Sequence, residues 1–210
     1  LALELPRGLF GLEREAARRL EAARRAGVTH CWAGNLGAVR LARELGFAVH
    51  GGFSLNITNT AALTFYERFG LTDTELSFEL TLPQSAKIGG LLPRGLLVYG
   101  RQPLMLTRAC PAANGPRGCL NCHQTGEVPV LTDRRGVRFP VQCAGACSEV
   151  LNSVPLELCD RPDELRWADF GVVRLTCEPE AEWGDILRRC FAGEPPAGEW
   201  TRGLAYRGIE

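Results

Sequence analysis

Across residues 12–101 the chain repeats one pattern, an amphipathic helix closed by glycine and followed by a short apolar strand. Residues 12–26, LEREAARRLEAARRA, place leucine and alanine at helical spacing among arginine and glutamate, and Gly27 is the stop signal. The same reading predicts a strand over 28–33, a helix over 35–45 closed by Gly46, a strand over 47–53 and a helix over 59–69 closed by Gly70. It continues with a strand over 75–80, a short helix over 83–88 and a buried strand over 95–101. After an irregular stretch, 162–167 predicts a short helix, 172–177 a strand and 183–191 a final helix. Strands alternating with helices at this interval form βαβ units and a parallel sheet. The expected class is therefore α/β, with five core strands near residues 28, 47, 75, 96 and 172. Five units are too few for an eight-stranded barrel of about 250 residues. No G-x-G-x-x-G or G-x-x-x-x-G-K follows any strand, so a nucleotide-binding sheet has no support.

The irregular stretch holds the chemistry. Cys110, Cys119, Cys122, Cys143 and Cys147 crowd a segment broken by Pro111, Gly115, Pro116 and Gly118. The pairs C-x2-C and C-x3-C let two sulfurs turn toward one ion, and C-x2-C-x20-C-x3-C is close to a zinc-ribbon pattern. A cubane iron–sulfur cluster also takes four thiolates and tolerates irregular spacing. On spacing alone zinc is slightly ahead, and a disulfide framework is the bland alternative. A hairpin strand is expected over 137–141, after the turn-like residues 133–136. Cys31, Cys159, Cys177 and Cys190 read as small buried hydrophobes. His123, beside Cys122, is an alternative ligand, and Arg134, Arg135 and Arg138 read as a solvated hairpin.

The formal net charge is zero, so no global field draws the protein to nucleic acid or to an acidic membrane. Lys87 is the only lysine. No apolar run approaches the ~18 residues needed to cross a bilayer, and the first residues lack a signal-peptide pattern. Nine cysteines without a secretory signal point to a reducing, cytoplasmic setting. H-E-x-x-H and G-x-S-x-G are both absent.

The run HCWAGNLGAVRLARELGFAVHGGFS from His30, followed by LNITNTAALTFYERFG and ELSFELTL, resembles the collagenase-like peptidase family of unknown catalytic type, family U-32. YGRQPLMLTRACP, the C-x2-C pair, LTDRRGVRFPVQC and EVLNSVPLEL resemble that family's cysteine-bearing insertion, and the likeness extends roughly over residues 28–191. It implies a partial TIM-like (β/α) barrel over residues 1–102 and 160–194, a cysteine-rich metal-binding insertion over 103–159 and a tail over 195–210. On that template the chain is the C-terminal part of a longer one, whose missing N-terminal barrel half would be its first partner. The resemblance also implies a 4Fe–4S cluster on Cys110, Cys119, Cys122 and Cys143, with Cys147 in reserve and zinc as the alternative. The activity implied is oxygen-independent hydroxylation of an RNA base or quinone precursor, served by an electron-donor protein. The alternative is a peptidase acting on protein, with a structural zinc or cluster.

Barrels of this kind carry active groups at the C-terminal ends of strands. Those ends offer Glu79 and Glu178 as acid and base, His50 as a further catalytic candidate, and Asn35, Asn56 and Arg101 as substrate-binding residues. Each has a structural reading beside it: a salt bridge or helix N-terminus for the glutamates, and a neighbouring carboxylate for Arg101. His30 is a weaker candidate than His50, and Asn152 reads as a loop residue.

Overall fold

Two units divide the chain, one of Leu1–Leu97, Arg161–Val172 and Arg202–Glu210, the other of Val98–Asp160 and Val173–Thr201. The structure is a computed structural model that describes residues 1–116, 118–145 and 147–207, with His123 described through its backbone alone.

In the first unit, strands β1 (Ala2–Glu4), β2 (His30–Ala33), β3 (Ala48–Gly51), β4 (Asp73–Glu75) and the start of β5 (Arg94–Gly100) lie side by side in chain order. Each runs parallel to its neighbour, giving a mixed α/β fold with a curled parallel sheet compatible with part of a barrel. Helices α1 (Glu13–Arg25), α2 (Leu36–Glu44), α3 (Thr60–Arg68) and α4 (Leu82–Ala86) connect the strands. Gly27, Gly46 and Gly70 follow α1, α2 and α3 at φ of +86°, +77° and +85°, a left-handed stop that a side chain would strain. Asn35 and Asn59 cap α2 and α3, and Thr81 with Gln84 forms a capping box on α4. Leu20, Val39, Ala42 and Leu63 from the helices share one buried core with Cys31, Ala33 and Val49 from the strands. Strand side chains alternate, so His30, Trp32 and His50 stand on the opposite face of the sheet.

Two expectations shift here. The strand expected at 75–80 lies at Asp73–Glu75, because β4 registers against β3 through His50↔Asp73 and Gly51↔Thr74. Ser77 then bonds out to Ile57, and Leu80 N–H turns back to the Ser77 carbonyl. β1 was not anticipated, since only three residues of the leucine-rich start pair with β2.

In the second unit, β6 (Pro103–Thr107), β7 (Val130–Thr132), β8 (Arg138–Ala144) and β9 (Cys147–Leu151) form an antiparallel sheet in the order β6–β9–β8–β7. The expected hairpin is present: Asp133 and Gly136 close the β7–β8 turn, and the Asp133 carboxylate accepts from Arg135 and Val137 N–H. The single-turn helix α5 (Cys122–Thr125) begins at the second cysteine of the C-x2-C pair. β10 (Leu156–Glu157) runs antiparallel to the end of β5, through Leu156↔Gly100 and Glu157↔Tyr99. β11 (Phe170–Arg174) also pairs with β5, and α6 (Glu180–Ala192) is the last helix.

Candidate metal centre and polar clusters

The β8–β9 register sorts the late cysteines. Cys143 pairs with Ser148 and Ala144 with Cys147, so the two cysteines occupy neighbouring ranks and opposite faces of the hairpin. Cys143 is exposed, whereas Cys147 is buried and its thiol donates to the Ala144 carbonyl at 3.5 Å. The C-x3-C spacing therefore does not converge on one ion. Cys143 and Cys122 line a common cleft of about 170 Å³, together with Glu127, Val141, Thr176 and Cys177. Cys110 precedes the short 3-10 turn after β6 and is half-buried, and Cys119 is exposed. Between Cys119 and Cys122, Asn121 takes a left-handed φ of +47° and turns the chain, with the Cys119 thiol donating to its Oδ1 at 3.6 Å. His123, an alternative ligand by sequence, has a side chain outside the described residues.

The proposed acid and base have different surroundings. Glu178 lies in the loop before α6 with its side chain 6% exposed. Its Oε2 accepts from the N–H groups of Thr176 and Cys177 at 2.7 and 3.0 Å, and its Oε1 lies 3.7 Å from Arg101 Nε. Arg101 Nη1 also donates to the carbonyls of Asn152 (3.1 Å) and Ser153. The pair ties the β5 end to two loops. Glu79 is exposed in the turn after β4, in the first unit, and its N–H donates to Ser77 Oγ. Asn35 is a working helix cap: Oδ1 accepts from Ala38 N–H at 2.8 Å and Nδ2 donates to the Arg7 carbonyl at 2.9 Å. Asn56 is an exposed turn residue at a φ of +52°.

His50 sits in a hydrogen-bonded row that sequence reasoning did not assemble. The register aligns Glu4, Trp32, His50 and Asp73 across four parallel strands. His50 Nδ1 meets the Asp73 carboxylate at 2.8 Å, and His50 Nε2 meets His30 Nδ1 at 2.8 Å. A carboxylate only accepts, so the bond to Asp73 is donated by Nδ1 of His50. His30 is exposed at the end of this row. Trp32 stacks on His50 with centroids 5.5 Å apart and planes 11° apart. His30 and Asp73 are the first residues of their strands.

A second thiol cluster occupies the interior of the second unit. The Sγ atoms of Cys159 and Cys190 and a carboxylate oxygen of Glu157 lie within 4.8 Å of one another, the only such group of three among the described residues. Glu157, 1% exposed, accepts from Arg189 Nη1 at 2.5 Å and, through Oε1, from Cys159 N–H at 3.3 Å. The Cys159 thiol also reaches the Val98 carbonyl at 3.6 Å. A hydrogen bond from Cys159 holds Cys190 below the usual thiol range, while that bond and burial push Cys159 up. Cys159 is buried, as expected, and Cys190 is half-buried, and the two are not separate hydrophobes. The available signal was Glu157 and Cys159 at alternate positions beside a helix carrying Arg-Cys, and spacing alone does not pair residues 159 and 190.

No family model, curated protein or solved structure matches this chain.

Proposed function

We propose that this chain is part of an iron–sulfur protein of the U-32 peptidase type, acting in oxygen-independent hydroxylation of an RNA base or a quinone precursor rather than in proteolysis. In this reading the curled parallel sheet belongs to a TIM-like barrel, and Cys110, Cys119, Cys122 and Cys143 hold a 4Fe–4S cluster. The observation that carries it is the shared cleft of Cys122 and Cys143, with Cys147 turned to the other face.

The donor set suits the group. All four are thiols of one unit, Cys110 and Cys119 in loops, Cys122 opening α5 and Cys143 near the end of β8. A closed tetrahedral zinc site draws sulfurs to about 3.8 Å apart. Among the described residues no three of these four thiols lie within 4.8 Å of one another. When bound, the cluster would supply one-electron chemistry. The protein's own residues frame it: Arg101 and Glu178 brace the loop carrying Thr176 and Cys177, two residues of the cleft wall. Peptidase chemistry gains less support, because both nitrogens of His50 are spent on Asp73 and His30 rather than on a nucleophile.

The test is anaerobic purification with iron, sulfide and zinc measured on one sample. The reading expects about four irons and four sulfides per chain, with both lost in Cys143→Ser. Colourless protein carrying stoichiometric zinc overturns it.

A further inference from the structure

We infer that Glu157, Cys159 and Cys190 form a second metal site, separate from the cysteine-rich segment, for a single thiophilic divalent cation such as Zn2+. The three donors come from two elements, β10 with the residue run after it and α6, and converge within 4.8 Å. Zinc takes sulfur at about 2.3 Å and carboxylate oxygen at about 2.1 Å, so tetrahedral closure needs donors about 3.6 Å apart. A rotamer adjustment of about 1 Å or less suffices.

The surroundings match what a metal-binding carboxylate requires. Ligating carboxylates are held by outer hydrogen bonds, and Glu157 has them on both oxygens: Arg189 on Oε2 and Cys159 N–H on Oε1. Charge balances as well. Two thiolates and a carboxylate carry three negative charges, Arg189 returns one positive, and a divalent ion supplies the remaining two. On binding, each thiol gives its proton to solvent and no electrons move. With three protein donors the fourth position falls to water, the pattern of an open rather than a closed zinc site. A disulfide is the competing fate of two near thiols, and it uses neither Glu157 nor the bonds from Arg189 and Cys159 N–H.

The experiment uses the whole chain, purified anaerobically and freed of metal, and loads it with Zn2+ or Co2+ alone. Half-buried Cys190 is the reporter, read by alkylation and peptide mass mapping. Saturating Zn2+ is expected to slow Cys190 labelling at least about tenfold, as metal ligation removes the thiolate from attack. Cys159→Ala/Cys190→Ala is expected to bind one equivalent fewer per chain, checked for folding by circular dichroism. Arg189→Met is expected to weaken Co2+ binding by about 10–100-fold while leaving both thiols in place. Labelling of Cys190 unchanged by zinc overturns the inference, as does a Cys159–Cys190 disulfide forming while zinc uptake equals that of the double variant. Iron and sulfide content is expected to be the same in the double variant, so failure here is distinguishable from failure of the cluster reading.

Discussion

Arg189 and Glu157 form an ion pair buried deeply enough to measure. Their side chains are 12% and 1% exposed, so solvent screening removes little of the interaction. Arg189→Met takes the 2.5 Å cation away from a carboxylate with almost no access to water. That is the costly way to break a buried pair, about 3–5 kcal/mol. Glu157→Leu strands the guanidinium instead, but a long arginine with 12% exposure can extend toward water, and about 2 kcal/mol is expected. The double variant Arg189→Met/Glu157→Leu replaces both charges by apolar groups of similar volume and is expected within about 1 kcal/mol of the parent, or above it. The double-mutant cycle then gives a coupling of at least about 3 kcal/mol. Urea unfolding of metal-free, reduced protein measures all four corners. Two single variants that each cost less than about 1 kcal/mol would refute the reasoning, since the pair would then be behaving as a solvated surface bridge.

Asn35→Ala removes both a cap and the amide bonds to the Arg7 and Pro6 carbonyls, and is expected to cost about 2 kcal/mol in urea unfolding. Asn35→Ser, which keeps the cap, is expected to cost about half of that. Burial, with Glu4 adding, pushes the Cys31 thiol up to about 12. The unfolded chain loses that proton near about 8.5, so its contribution is full below that pH and is lost as pH rises toward about 12. Unfolding at pH 8 and 10 is expected to show a loss of about 1–2 kcal/mol that is absent in Cys31→Ala; an equal loss in both would count against it. Cys147→Ser is expected to leave iron content unchanged where Cys143→Ser abolishes it, and iron loss in both would remove the opposite-face argument.

Local signals were legible and pairings were not. Helices α1–α4 were readable within a residue or two because glycine at positive φ and Asn or Thr caps are chemical marks of a helix end, whereas α6, without a side-chain cap, starts three residues before the expected 183. β9 escaped notice because all five residues of CSEVL are buried, Ser148 and Glu149 included, so neither alternation nor an apolar run announces it. The metal-ligand spacing was readable, but the hairpin register that separates Cys143 from Cys147 is a tertiary property. The His30–His50–Asp73 row likewise joins residues that become neighbours only when parallel strands register. Arg101 and Glu178 were singled out for their chemistry, and the geometry in which they meet braces two loops.

The row across the parallel sheet has an optical consequence. Trp32 lies flat on the imidazole of His50, so any added positive charge on that ring comes to rest against an indole face. The strand register therefore seats a natural fluorophore, Trp32, on the ring that joins Asp73 to His30.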